Sequence, residues 1–230
     1  MEPNDKFDII WQHIEQKSIL SKHETHLLWQ IMKTAPGFVT EGVAMEKEET
    51  TTAEIGVYQG AISKMITLTQ QENQYMHHCY DTFAGILDSD PKVDHHHNGE
   101  FECSLEKVKE FIAGPIKGQQ SQPDKVTYFQ GRFPNTFQAP KQKYSFVYSD
   151  LGTYQGTRDT LVTIPENLLQ GGLLVIYRGN NVGVTKALAE TKALAETKAI
   201  AEQKAIADNA LHIHNCSVTI SEPFVFFRKL

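Results

Sequence analysis

From Phe7 to Lys17 apolar side chains return every three or four positions, at Ile9, Ile10 and Ile14. The same spacing recurs from Lys22 to Lys33, at Leu27, Leu28, Ile31 and Met32. Residues so spaced share one helical face, so two amphipathic helices are predicted ahead of the main fold. Ser21, with Glu24 three positions later, forms a capping box at the start of the second. The following stretch, "APGFVTEGVAMEKEETTT", is charged and turn-rich and reads as a loop. An N-terminal portion of helices and loop, 1–50, therefore precedes a main domain at 51–230.

The pattern then changes to short β-branched and aromatic runs alternating with helical periodicity, as in successive βαβ units. Strands are predicted at Ala53–Val57, Tyr75–Tyr80, Val126–Gln130, Ser145–Ser149 and Leu173–Ile176. Helices are predicted at Ala61–Gln70, Leu105–Ala113, Gly156–Leu168 and from about Val182 to Asp208. In the tail "LHIHNCSVTISEPFVFFRKL", the turn "SEP" separates two strands, an antiparallel hairpin. The sum is an α/β, Rossmann-like fold with a mostly parallel seven-stranded sheet. Within the last helix, "TKALAETKALAETKAIAEQKAIAD" repeats every six residues. Leu188, Leu194, Ile200 and Ile206 drift by roughly 240° per step, so they form no coiled-coil seam. Such a helix either lies half packed on the domain or serves as an arm for a partner or a homo-oligomer.

Composition narrows the function classes. The 230 residues suffice for one large domain, with an ordinary 40% hydrophobic content. A net charge of -6 speaks against a nucleic-acid partner. No apolar run approaches the roughly 20 residues of a membrane span. The acidic start "MEPNDKFDII" is unlike a secretory signal. Cys79, Cys103 and Cys216 are odd in number and show no paired spacing. A reduced, cytoplasmic location is expected.

Candidate chemistry falls at the carboxyl ends of the strands, where ligands of open α/β sheets sit. In "TTAEIGVYQGAISKM", Gly56 allows a sharp turn and Gly60 a close helix approach. This G-x-x-x-G spacing matches neither the dinucleotide nor the phosphate-gripping pattern, which disfavours a dehydrogenase. Glu54 beside it suits a ligand carrying an ammonium or sulfonium group; a plain strand–helix corner is the alternative. Asp81, in "CYDTFAG", can accept hydrogen bonds from the two hydroxyls of a ribose or cap the next turn. In "YFQGRFPNTF" a glycine after the strand accommodates a flat ring that Phe133 helps to wall, and Asp150 ends the next strand.

Five segments, "AEIGVYQG", "YDTFAG", "VTYFQGRFPNTF", "FVYSDLGTYQGTRDTL" and "LLQGGLLVIYRGNNVGVTKAL", resemble the macrocin O-methyltransferase family in order and spacing. The resemblance covers about Ala53 to Leu188 and implies the class I S-adenosylmethionine-dependent methyltransferase fold. It implies S-adenosylmethionine as cofactor and a small-molecule acceptor, such as a sugar hydroxyl of a natural product. It places Glu54, Gly56, Tyr58 and Gly60 around the methionine and ribose, and Asp81 on the ribose with Thr82 and Phe83 beside it. Gln130 and Gly131 would lie near the adenine.

The chain also departs from that family, whose members bind a divalent metal through an aspartate and an Asp-Asp pair, with a second aspartate as presumed base. Asp150 keeps the first position and becomes the catalytic candidate, but Gly152 replaces the base and Tyr177-Arg178 the pair. One carboxylate beside an arginine does not hold Mg²⁺, so no divalent metal is expected. Arg178 in the cation's place could pair with Asp150, and Tyr177 could wall the site or donate a phenol proton. His95, His96 and His97, in "VDHHHNGEF", fall where the family has a mobile lid. They are substrate-side candidates for acid/base work, part of a solvated loop or, less readily because adjacent loop side chains seldom converge on one ion, a metal-binding set. The alternative to an enzyme is a non-catalytic methyltransferase-fold module.

Overall fold

The structure, a computed structural model, describes residues 3–36, 50–70, 75–116, 123–140, 143–191 and 216–230. Two helices lead, α1 (Pro3–Ile14) and α2 (Lys22–Met32). β1 (Thr50–Ile55), α3 (Ala61–Thr69), β2 (Tyr75–Asp81), α4 (Leu105–Ala113) and β3 (Val126–Gln130) make the first half of the sheet. β4 (Tyr144–Ser149), α5 (Tyr154–Thr163), β5 (Leu168–Tyr177), a helix at 182–191, β6 (Cys216–Ser221) and β7 (Phe224–Lys229) make the second. The seven strands run in the order β3-β2-β1-β4-β5-β7-β6. β1 to β5 are parallel, and β7 inserts antiparallel between β5 and β6. This is the Rossmann-like sheet with a terminal hairpin that the periodicity predicts.

Strand alternation sorts the core into two layers. Phe146, Tyr148, Leu173, Val175, Phe224 and Phe226 face one side, packed with Phe7, Ile10, Leu28 and Trp29 of the leading helices and Met65 of α3. Val147, Leu174, Ile176, Val225 and Phe227 face the other, with Leu161 of α5 and Val184. All six β4 residues are buried, since helices cover both faces. The capping box at α2 forms as the sequence predicts: Ser21 Oγ accepts from the Glu24 N–H and Glu24 from the Ser21 N–H.

Several boundaries differ from the sequence reading, and three of the shifts have a plain physical cause. β1 starts at Thr50, inside the stretch read as loop, because β-branched threonines suit a strand once their hydroxyls find partners. Thr52 Oγ1 lies 2.9 Å from His77 Nδ1 and 3.1 Å from Gln70 Oε1. Residues 37–49 of that loop lie outside the described ones. Helix α5 ends at Thr163, short of Leu168, because Pro165 has no N–H to continue the ladder. β5 is ten residues long instead of four: Gly171 and Gly172 form an irregularity, where pairing steps from Tyr144↔Leu168 to Phe146↔Leu173. The repeat helix is helical at 182–191; its continuation to Asp208 lies outside the described residues.

Candidate functional site

Strand order reverses between β1 and β4, the position where open sheets form a crevice at their carboxyl edge. A cavity of about 400 Å³ lies there. Of the residues singled out from sequence, Gly56, Tyr58, Asp81, Thr82, Gly131, Phe133, Asp150, Tyr177, Arg178, His95 and His96 line it. Glu54, Gly60, Phe83, Gln130 and His97 are not among its lining residues.

The strand pleat accounts for Glu54. Ala53 and Ile55 face the α5 layer, so Glu54 points the opposite way, towards α3, and is 2% exposed. Ser63 on α3 donates its hydroxyl to that carboxyl. Burial raises the Glu54 carboxyl well above its ordinary range, against the opposing pull of Ser63. Gly60 opens α3 with φ +83°, and a Cβ there would press within 3.1 Å of Ile112 and Val108 on α4. Its smallness serves helix packing. Phe83 is buried with Val57, Cys79, Val108 and Ile112, and Gln130 ends β3 at the exposed edge of the sheet.

Gly56 and Asp81 organise the turn after β1. Gly56 takes φ +86° where the ends of β1 and β4 meet. Asp81, closing β2, accepts backbone hydrogen bonds across the gap: Oδ2 from the N–H of Val57 at 2.6 Å and of Tyr58 at 2.9 Å. Its Oδ1 accepts from the Phe83 N–H at 2.7 Å. A carboxylate has about four acceptor sites, so this arrangement leaves about one, on Oδ1, for a ligand hydroxyl. The two-hydroxyl grip anticipated from sequence is thereby narrowed to one. Thr82 shapes the next turn, with Oγ1 donating to the Gly85 carbonyl at 2.6 Å.

Beside the Gly56 turn, at the end of β4, Asp150 is half-buried and accepts from the Tyr148 hydroxyl at 3.2 Å. Burial pushes its carboxyl from an ordinary 3.8 up to about 7, partly offset by Tyr148. The native state therefore keeps a proton that the unfolded chain releases between about pH 4 and 7. The stability due to this group is complete below pH 4 and is lost as pH rises through 7. Asp150→Asn should be more stable than wild type by about 2–4 kcal/mol at pH 8, the gap closing towards pH 4. Urea unfolding at several pH values checks this; a gap independent of pH would contradict it.

Arg178 does not pair with Asp150 as the sequence reading allowed; its guanidinium meets Glu222 in the hairpin turn. The register explains this, since the Arg178 N–H donates to the Pro223 carbonyl and brings the turn alongside. Tyr177 Oη donates to Glu24 of α2 at 3.3 Å. Burial pushes the Tyr177 phenol up to about 12.

The loop 84–102, a lid by its place in the resembling family, lines the cavity through residues such as Ile86, Asp88, His96 and Phe101. The Ala84↔Glu102 bridge closes its base, and Ile86 donates to the Glu100 carbonyl at 2.9 Å. Arg132 ties the lid residue Asp88 (2.7 Å) to Asp159 on α5 (2.9 Å). Asp94, almost fully buried, accepts the Tyr154 N–H at 2.8 Å at the start of α5. Sequence reasoning missed Ile19, Arg132, Asn180 and Asn181, which also line the cavity. Position after a strand was available as a signal for the last three. Ile19, from the connection between α1 and α2, had none. Among the described residues no three His, Cys, Asp or Glu side chains cluster so as to hold a metal, and no helix is long and apolar enough to cross a membrane.

No protein-family model matches the chain, and no curated protein matches it by sequence. Solved structures do match in shape. The O-methyltransferase NovP superposes with a TM-score of 0.62 at 17% identity, over 92% of this chain and 81% of that one. The calicheamicin methyltransferase CalS11 gives 0.59 at 14%, over 99% and 92%. MycE of the mycinamycin pathway, in complex with Mg and SAH, gives 0.53 at 13%, over 98% of this chain and 53% of that one. At such identities the likeness is one of fold alone, an α/β fold shared with these methyltransferases.

Proposed function

We propose that this chain is an S-adenosylmethionine-dependent methyltransferase acting on a small polar acceptor, a hydroxyl of a sugar or other natural product. One observation supports it above the rest: the Gly56 turn, Asp81 and Asp150, read from separate segments, border a single cavity at the switch point of the sheet. The lining fits the ligand in kind. Tyr58, Tyr80 and Phe133 offer aromatic walls, Asp81 keeps an acceptor for a hydroxyl, and Asp150, once ionised above about pH 7, supplies negative charge for a cation.

S-adenosylmethionine, when bound, supplies an electrophilic methyl group on a sulfonium. The protein's part is to hold the acceptor in line with it and exclude water. Asp150 accepts from the acceptor hydroxyl or offsets the positive charge. The residues at the family's metal positions are one carboxylate, a glycine, a tyrosine and an arginine, a set that does not fit a divalent cation. The reading therefore needs none. The neighbours' fold and the open cavity favour an enzyme over a non-catalytic module.

Calorimetric titration tests the proposal. S-adenosylmethionine and S-adenosylhomocysteine should both bind, and a panel of sugars and phenols should include an acceptor methylated without added Mg²⁺. Absence of binding by either compound refutes the methyltransferase reading, and turnover that requires Mg²⁺ refutes its metal-free form.

A further inference from the structure

We infer that His96, oriented by Glu100, is the general base for the acceptor hydroxyl, reaching from the lid into the space left by Gly152. The inference rests on the methyltransferase reading and assigns a residue within it.

The geometry is specific to one of the three adjacent histidines. His95 and His97 are exposed, whereas His96 is half-buried and lines the cavity. Its ring packs edge-on against Phe101, with centroids 4.9 Å apart, and Phe101 packs in turn on Tyr58 of the β1–α3 turn at 5.4 Å. The lid backbone is pinned beside it, the Ser89 hydroxyl donating to the His96 carbonyl. A Cβ at Gly152 would stand 3.4 Å from His96 Cδ2 and 4.0 Å from Nε2, so the imidazole edge borders the place of a residue-152 side chain. Gly152, two residues beyond Asp150, is where the resembling family carries its presumed base.

The partner of the other nitrogen sets the ring's chemistry. His96 Nδ1 lies 2.9 Å from Glu100 Oε2. An ionised carboxylate only accepts, so Nδ1 must carry the proton of this bond, and the neutral ring presents Nε2 with a free lone pair. A base oriented by a carboxylate, its lone pair at the cavity, is the arrangement proton abstraction requires. In the reaction, Nε2 takes the hydroxyl proton while the acceptor oxygen forms its bond to the methyl carbon. The carbon–sulfur bond breaks with its electron pair remaining on sulfur, turning the sulfonium into a neutral thioether. His96 then returns the proton to solvent. Glu100 acts through the ring and is a positioning residue.

Two measurements on the full chain decide the matter. The first needs no acceptor: NMR of ¹⁵N- and ¹³C-histidine-labelled protein, with His96 assigned through the His96→Gln variant. The neutral ring should be the Nδ1–H tautomer, and Glu100→Ala, which removes the acceptor, should abolish that preference. A wild-type Nε2–H tautomer, or one unchanged in Glu100→Ala, overturns the inference. The second is kinetic. His96→Gln should lower kcat by about 10²–10⁴-fold with S-adenosylmethionine affinity within about twofold. Glu100→Gln should lower kcat with the same unchanged affinity, and added imidazole should restore turnover to His96→Gly. Full kcat in His96→Gln overturns the base while leaving the methyltransferase reading intact. Failure of wild type to bind either adenosyl compound refutes that reading by itself, because the binding assay does not depend on His96.

Discussion

Replacing Gly56 by alanine is expected to unfold much of the protein, costing about 4 kcal/mol or more. Two terms combine. At φ +86° an L side chain is strained by roughly 1–2 kcal/mol. The added Cβ would also stand 2.3 Å from the Asp150 carbonyl oxygen and 2.8 Å from its carbon. Those atoms are backbone, held by the Asp150 N–H donating to the Ile55 carbonyl at 2.8 Å, so they cannot turn aside as a side chain would. Gly56 itself donates to the Tyr80 carbonyl at 2.9 Å, which fixes it from the other side. Relief would mean parting β1 from β4 at the cavity. Gly99 provides the control: its φ of +89° is nearly the same, but nothing lies within 4 Å of its would-be Cβ. Gly99→Ala should therefore show the strain alone. Urea denaturation of both variants makes the comparison, and similar midpoints for the two would refute the steric account.

Asp81→Ala should act on stability and on ligand binding together. Removing the carboxylate strands the N–H groups of Val57, Tyr58 and Phe83, and bonds of this charged kind are worth about 1.5–3 kcal/mol each before water compensates. Because all three bonds are only partly buried, a net loss of about 2–4 kcal/mol is expected. S-adenosylmethionine affinity should fall as well, by about 1–3 kcal/mol, through the missing acceptor on Oδ1 and the loosened turn. Asp81→Asn separates the two. Its amide oxygen can still serve Val57 and Tyr58, but its NH₂ would face the Phe83 N–H, donor against donor. It should keep most of the stability and lose more of the binding. Calorimetry and urea denaturation on both variants test this, and unchanged affinity in Asp81→Ala would remove Asp81 from the site.

The place of Asp81 shows what sequence could and could not say of the site. An acid at the end of a strand in "CYDTFAG" is legible as a group beside the crevice, because strand ends in such sheets converge there. That it spends most of its acceptors on the neighbouring turn depends on β1 and β2 lying side by side in the register Ile55↔Tyr80. Glu54 gives the opposite lesson. It lies two residues from Gly56, yet the pleat turns it into the core against Ser63. Arg178 was read against Asp150, but the hairpin delivered Glu222 to it instead.

Sequence by itself determined the elements and their order. Helical spacing at Ile9, Ile14, Leu28 and Met32, the capping box at Ser21, and the β-branched runs are local properties, expressed within a few residues of backbone. The doubly wound sheet and its closing hairpin follow from that order. Only the tertiary structure decided which way each polar side chain faces and what meets it. His96 was one of three equivalent letters until the lid folded back, set Glu100 on its Nδ1 and laid its ring along Gly152. The contact with Gly152 joins residues about 56 positions apart through the packing of a whole lid on a sheet, and hydrophobic periodicity carries no record of it.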